Sequence, residues 1–253
     1  MRIGNIGRLS LVAWLLSSLA VVAGPALGQD SDLMVNSAVA PSTLDPAWAC
    51  GLQEISFIQN FYVRLTQYGT AEGPEGTRVV DFSTVEPYLA DSWDVSDDGL
   101  VYTFHLKEGY TFESGAPVDA EAVRYSLQRV LDMAGCGRFF LTDGHIDPVI
   151  IDAIEVVDPL TLTITLNKLG DLATHAASIV DPSVVEANGG VVAGQPNEFM
   201  AANVTESGPF LLESYSANQS ARMVANPGFA GEAPASDAIS VNWITAAPTL
   251  LLQ

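Results

Sequence analysis

The chain reads as an α/β protein, and three stretches carry that reading. Residues 100–107 alternate strictly. Leu100, Tyr102, Phe104 and Leu106 point one way and Val101, Thr103, His105 and Lys107 the other, the pattern of a half-buried strand. Asp119, after Pro117, offers an N-cap to a helix with Val123, Leu127, Val130 and Leu131 on one face. Residues 150–157 lead into Asp158-Pro159, after which Leu160, Leu162, Ile164 and Leu166 alternate with Thr161, Thr163 and Thr165, as the arms of a hairpin. Strands and helices intersperse without a fixed period, so the chain is mixed α/β and not a repeat array.

The remaining elements follow in order. Arg2 and Arg8, the apolar run 9–23 and the small residues Ala26-Leu27-Gly28 form a cleavable export signal, so residues 1–28 are expected to leave the mature protein. Residues 32–40 read as a first strand, broken by Pro41 and Pro46. Ile55, Ile58, Phe61, Tyr62 and Leu65 fall near helical spacing and predict a helix over 53–68. Residues 69–75, rich in Gly and Pro, predict a loop, and the stretch after Glu86 a polar turn. Gly135 and Gly137 are expected to end the helix after Asp119. Short helices are expected at 171–179 and 182–188, the second stopped by Gly189-Gly190. Strands are expected at 210–215, 221–225 and 238–244, the last at an open sheet edge.

All 30 acidic residues follow Gly28, while two of the ten basic ones precede it, leaving a formal charge of −22 after cleavage. Such a surface excludes nucleic acid and anionic lipid as partners, because both require Lys and Arg to replace their counterions. The charge serves solubility first; salt screens any steering of cations. No direct membrane insertion is expected once the signal is gone. Cys50 and Cys136 are the two cysteines of a chain bound for an oxidising compartment, where a disulfide is the natural expectation and a pair of buried free thiols the alternative.

Catalytic and cofactor motifs are missing. No G-x-S-x-G elbow, P-loop or Rossmann glycine pattern occurs, and His105, His145 and His175 lack the spacing of a zinc site. Asp94-x-Ser96-x-Asp98-Gly99 imitates the start of a calcium loop, but its twelfth position is His105, inside a strand, where a bidentate Glu is needed. The sequence therefore predicts neither an enzyme nor a cofactor.

Several segments together resemble one family. Thr43-Leu44-Asp45-Pro46 is similar to its entry motif after the first strand. Residues 86–129 resemble its signature block, with the turn Trp93, Ser96, Asp98, Gly99 and the strand Y-T-F-H-L. Gly115 through Tyr125 resembles the step into the following helix, and Ser207-Gly208-Pro209-Phe210 with Asn226-Pro227 a later signature. Phe229-Ala230 departs from it, standing where an aromatic pair ending in Trp is usual. The family is the bacterial extracellular solute-binding proteins, family 5, which feed ABC importers.

The resemblance implies a periplasmic binding protein-like fold (type II, cluster C), a two-lobed clamp that closes around solute. Family members are about twice this long, so the chain is expected to correspond to lobe I, with the second lobe missing. The truncation would be that of a gene, or the remainder a separate chain. Residues 29–62 and 183–253 would form a hinge-proximal α/β piece with a mixed sheet, and residues 63–182 a smaller β-rich subdomain. One wall of the cleft would come from Trp48, Ala49, Cys50, Gly51 and Leu52. A second would come from the loop carrying Cys136, Gly137, Arg138, Phe139 and Phe140, with the disulfide across the cleft mouth. Glycine beside an aromatic allows close backbone approach over an apolar floor, and an arginine can pair with a ligand carboxylate. The expected partners are a peptide or other small solute and the transmembrane subunits of an ABC permease. A sensor's binding partner or periplasmic chaperone is the alternative, and an exported hydrolase a third reading.

Overall fold

The computed structural model describes residues 32–141, 149–170, 172, 174 and 177–244. The expected export signal lies outside them. Ten strands and four α-helices are described, in three sheets. The first sheet runs β1–β10–β9–β8, from β1 (Asp32–Ser37), β8 (Phe210–Ser216), β9 (Ser220–Ala225) and β10 (Ala238–Trp243). The pairing of β1 with β10 is parallel and the other two are antiparallel. A second, wholly antiparallel sheet runs β4–β5–β7–β6, from β4 (Ala90–Val95), β5 (Val101–Leu106), β6 (Ile151–Asp158) and β7 (Thr161–Leu166). A two-stranded hairpin, β2 (Thr66–Glu72) with β3 (Arg78–Pro87), makes the third.

Two apolar clusters underlie this arrangement. The inward residues of the antiparallel sheet, Phe104, Leu106, Leu162, Ile164 and Leu166, pack with Val123, Leu127 and Val130 of α2 (Ala120–Met133). Asp119 caps that helix, its carboxylate accepting the Ala122 N–H at 3.0 Å. The second cluster joins Phe57 and Ile58 of α1 (Leu52–Ile58) to Met223, Val241 and Trp243 of the mixed sheet, with Phe57 edge-on to Trp243.

Residues 60–65 link the two clusters and account for the largest departure from the sequence expectation. The helix expected over 53–68 stops at Ile58. The Asn60 side chain donates to the carbonyls of Ser56 and Phe57, and its own carbonyl accepts the Phe210 N–H. Phe61, Tyr62, Val63 and Leu65 are then fully buried in extended chain. The Phe61 carbonyl accepts N–H groups of Ser207 and Gly208, and the Leu65 carbonyl that of Ala90. Phe61, Tyr62 and Val63 are buried in succession, so the helical spacing of apolar residues reflects burial on several sides and not one amphipathic face.

Other differences follow from long-range pairing. The expected loop at 69–75 begins in β2, and the expected polar turn after Glu86 contains β4, which pairs with β5 at the edge of its sheet. The helix after Asp119 ends on Ala134, which takes the left-handed conformation (φ 54°), and the expected loop beyond it is α3 (Cys136–Leu141). Of the helix expected at 171–179, the described residues are not helical. The strand at 238–244 lies inside its sheet, between β1 and β9, so the free edges belong to β1 and β8. Among the described residues no helix is long and apolar enough to cross a membrane.

Candidate ligand-binding face

The segment from Ser42 to Leu52 is held by two buried acids. Asp45 and Arg129 are both buried, and the pair is bidentate, Nη1 to Oδ1 at 2.8 Å and Nη2 to Oδ2 at 2.6 Å. Asp45 also accepts the Ala47 N–H on Oδ1, while its carbonyl accepts those of Trp48 and Ala49. Glu54 gathers the rest. Its Oε1 accepts from the backbone of Ser42 and Thr43 and the Ser42 hydroxyl, and its Oε2 from the backbone of Cys50 and Gly51. Burial pushes this carboxyl's pKa up, but the hydrogen bonds from Ser42, Cys50, Gly51 and Thr43 outweigh it and hold it below the ordinary value. Its contribution is present above the unfolded-state pKa and is lost as pH falls through the folded one.

A second segment, the turn after α2, is pressed onto the first. Cys50 and Cys136 are bonded, with Cα atoms 5.1 Å apart. The Gly137 N–H donates to the Ala47 carbonyl at 3.1 Å. The glycines make this contact possible. A Cβ on Gly135 would lie 2.5 Å from the Ala47 oxygen and 2.6 Å from the Trp48 ring, and one on Gly137 2.9 Å from the Pro46 oxygen.

Beside this junction lies a groove of about 490 Å³, within the usual range of small-molecule sites. Ala49, Leu52, Ile55 and Gly137 line it together with Tyr68, Val80 and Phe82 of the β2–β3 hairpin. Among the described residues, no charged side chain lines it.

Of the residues singled out in the sequence, Ala49, Leu52 and Gly137 line the groove. Leu52 is 72% exposed. Trp48 is half-buried against the first apolar cluster. Cys50, Gly51 and Cys136 sit at the junction between the two segments. Arg138 is half-buried in α3 and Phe139 is 43% exposed; the Phe140 side chain lies outside the described residues. The hairpin residues and Ile55 were not anticipated. The Val80–Phe82 stretch carries a legible signal, apolar residues on both sides of Asp81, but nothing local says which surface it will meet. His105 pairs with Asp94 on the exposed face of β5, and the Asp94–Gly99 stretch is a turn in which Asp98 accepts from Ser96 and the Leu100 N–H.

A separate pair of acids ties the two apolar clusters together. The Glu113 N–H donates to the Glu206 carbonyl, and the buried Glu206 carboxyl accepts the Leu212 N–H at 2.6 Å. Burial, together with the hydrogen bond and charge of Glu113, pushes its pKa up to about 7. For a carboxyl raised in this way the folded state holds the proton more tightly. Its stabilising effect is complete below the unfolded value of 4.5 and disappears as pH rises through about 7. Glu206→Gln, which mimics the protonated form, is therefore expected to raise the urea midpoint more at pH 8 than at pH 5. Equal shifts at both pH values would contradict this.

Comparison with known proteins places this architecture. Residues 84–253 match the description "Bacterial extracellular solute-binding proteins, family 5 Middle". The chain is 34% identical over 252 residues to the probable D,D-dipeptide-binding periplasmic protein DdpA of Escherichia coli, covering 97% of this chain and 45% of that protein. It is 30% identical to the di/tripeptide-binding protein 2 of Pseudomonas aeruginosa, covering 96% and 47% respectively. Among solved structures it resembles the ABC transporter-associated periplasmic binding protein DppA of Helicobacter pylori in complex with the peptide STSA. That match has a TM-score of 0.70 at 25% identity, over 87% of this chain and 44% of the other. The oligopeptide-binding protein AppA of Bacillus subtilis, in complex with a nonapeptide, matches in fold with a TM-score of 0.72 at 20% identity, over 88% and 42%. The chain thus spans about half the length of the curated relatives it matches.

Proposed function

Because the chain belongs to the bacterial extracellular solute-binding proteins of family 5, we propose that it supplies one lobe of the periplasmic receptor of an ABC importer. The receptor captures a peptide or similar small solute in a cleft and delivers it to a membrane permease. It performs no chemistry on the ligand. The lobe is built of two pieces, residues 29–62 with 183–253 and residues 63–182. Residues 1–28 direct export and are removed.

One observation supports this reading above the rest. The segment after Pro46 and the turn after α2 are joined by a disulfide, a backbone hydrogen bond and glycine contacts, beside an open, uncharged groove. A wall fixed before the ligand arrives spares the ordering cost of binding. The relatives named for dipeptides and tripeptides make a short peptide the first ligand to test. Cells in which the gene carrying this chain is disrupted are expected to lose uptake of a radiolabelled dipeptide, with restoration on re-expression. Unchanged uptake of every short peptide tried would overturn the proposal.

A further inference from the structure

The β2–β3 hairpin carries a built irregularity that aims an aromatic ring at the groove. Tyr68 pairs with Val85, yet the next residue, Gly69, pairs with Asp81. Phe82, Ser83 and Thr84 are therefore left without partners on β2, forming a bulge. Bulges of this kind redirect side chains out of the ladder and are common beside functional sites. This one is held from both strands. The Asp81 carboxylate accepts the Ser83 N–H at 2.9 Å and its hydroxyl at 2.6 Å. Opposite, Gly69 leaves room for Thr84, whose hydroxyl would lie 2.2 Å from a Cβ there. Phe82 emerges 74% exposed, edge-on to Tyr68 with ring centroids 5.0 Å apart, and both rings line the groove with Val80.

We propose that Tyr68, Val80 and Phe82 form a specificity wall that seats a large, uncharged apolar side chain of the bound peptide. This deepens the peptide-capture reading and rests on it. Charge complementarity selects the occupant. The chain carries a formal charge of −20, yet among the described residues no charged one lines this groove. A cationic side chain finds no carboxylate there, and a carboxylate finds no cation. A neutral aromatic or branched aliphatic group buries its own surface and that of Phe82 together.

The test uses the oxidised 253-residue chain, isotopically labelled, titrated with Ala-Phe, Ala-Leu, Ala-Ala and Ala-Glu and followed by NMR. Ala-Phe and Ala-Leu are expected to bind about tenfold more tightly than Ala-Ala, which corresponds to burial of part of one apolar side chain. They should shift the resonances of Leu52, Val80 and Phe82. Ala-Glu should bind no better than Ala-Ala. Phe82→Ser is expected to collapse the Ala-Phe to Ala-Ala ratio to about one, and Phe82→Leu to restore most of it. Hairpin resonances that match the parent protein would show that the bulge still folds. An unchanged ratio in Phe82→Ser overturns the wall while leaving peptide capture standing. Failure of all four peptides to shift any resonance overturns both. A concentration-dependent dimer abolished by Phe82→Ser, with no preference for Ala-Phe, would assign the face to a second copy and overturn the wall as well.

Discussion

Replacing Arg129 with methionine is expected to destabilise the fold by about 3–5 kcal/mol, because it leaves the Asp45 carboxylate buried without its counter-ion. Domains of this size are typically stable by only about 5–15 kcal/mol, so the variant would sit near the edge of folding. Asp45→Asn is expected to cost somewhat less, since the amide oxygen can still accept the Ala47 N–H. The double variant should lose less than the two singles together, with a coupling of about 1–3 kcal/mol. Urea unfolding of the four proteins measures this directly, and single variants costing under about 1 kcal/mol would refute it. The consequence reaches the candidate site. The Asp45 carboxylate also anchors the Ala47 N–H, so its loss loosens the start of the segment that lines the groove.

Removing the disulfide is expected to have a comparable effect. Cys50 and Cys136 are 86 residues apart, and closing a loop of that length stabilises by about 4.5 kcal/mol in the chain-entropy description. Cys50→Ser with Cys136→Ser should therefore lower the urea midpoint strongly, and reduction of the parent protein should do the same. The backbone hydrogen bond from Gly137 to Ala47 remains in the variant, so the two segments are expected to separate only partly. Hydrogen exchange at Gly137 would report that loosening. A double variant as stable as the parent, or two alkylatable thiols in protein purified without reductant, would refute the expectation.

Local pattern carried much of this protein. The strict alternation at 100–107 became β5, Asp119 became the cap of α2, and the arms flanking Asp158-Pro159 became β6 and β7. In each case one face is buried and the other is wet, so the periodicity of the side chains records the element. The combination of Leu-Asp-Pro entry, signature block and Ser-Gly-Pro-Phe segment was enough to reach the family, because those residues serve turns and contacts that the whole fold repeats.

The sequence could not reveal what distant segments decide. Four of residues 60–65 are apolar, and their backbone bonds to residues 88–90, 179, 207–208 and 210 hold them out of the helix that their spacing suggests. The partner of Arg129 lies 84 positions away, so nothing near either residue announces a buried ion pair. Residues 69–75 of the hairpin read as a loop because they are rich in Gly and Pro, and the bulge opposite depends on the Gly69–Thr84 approach and the Asp81–Ser83 bonds. By itself the sequence determined the elements with one buried face, the capped helix and the family. The tertiary structure decided the edge strands, the pairing that pins the Asp45 segment, and the groove, because each depends on groups that meet only after the chain has folded.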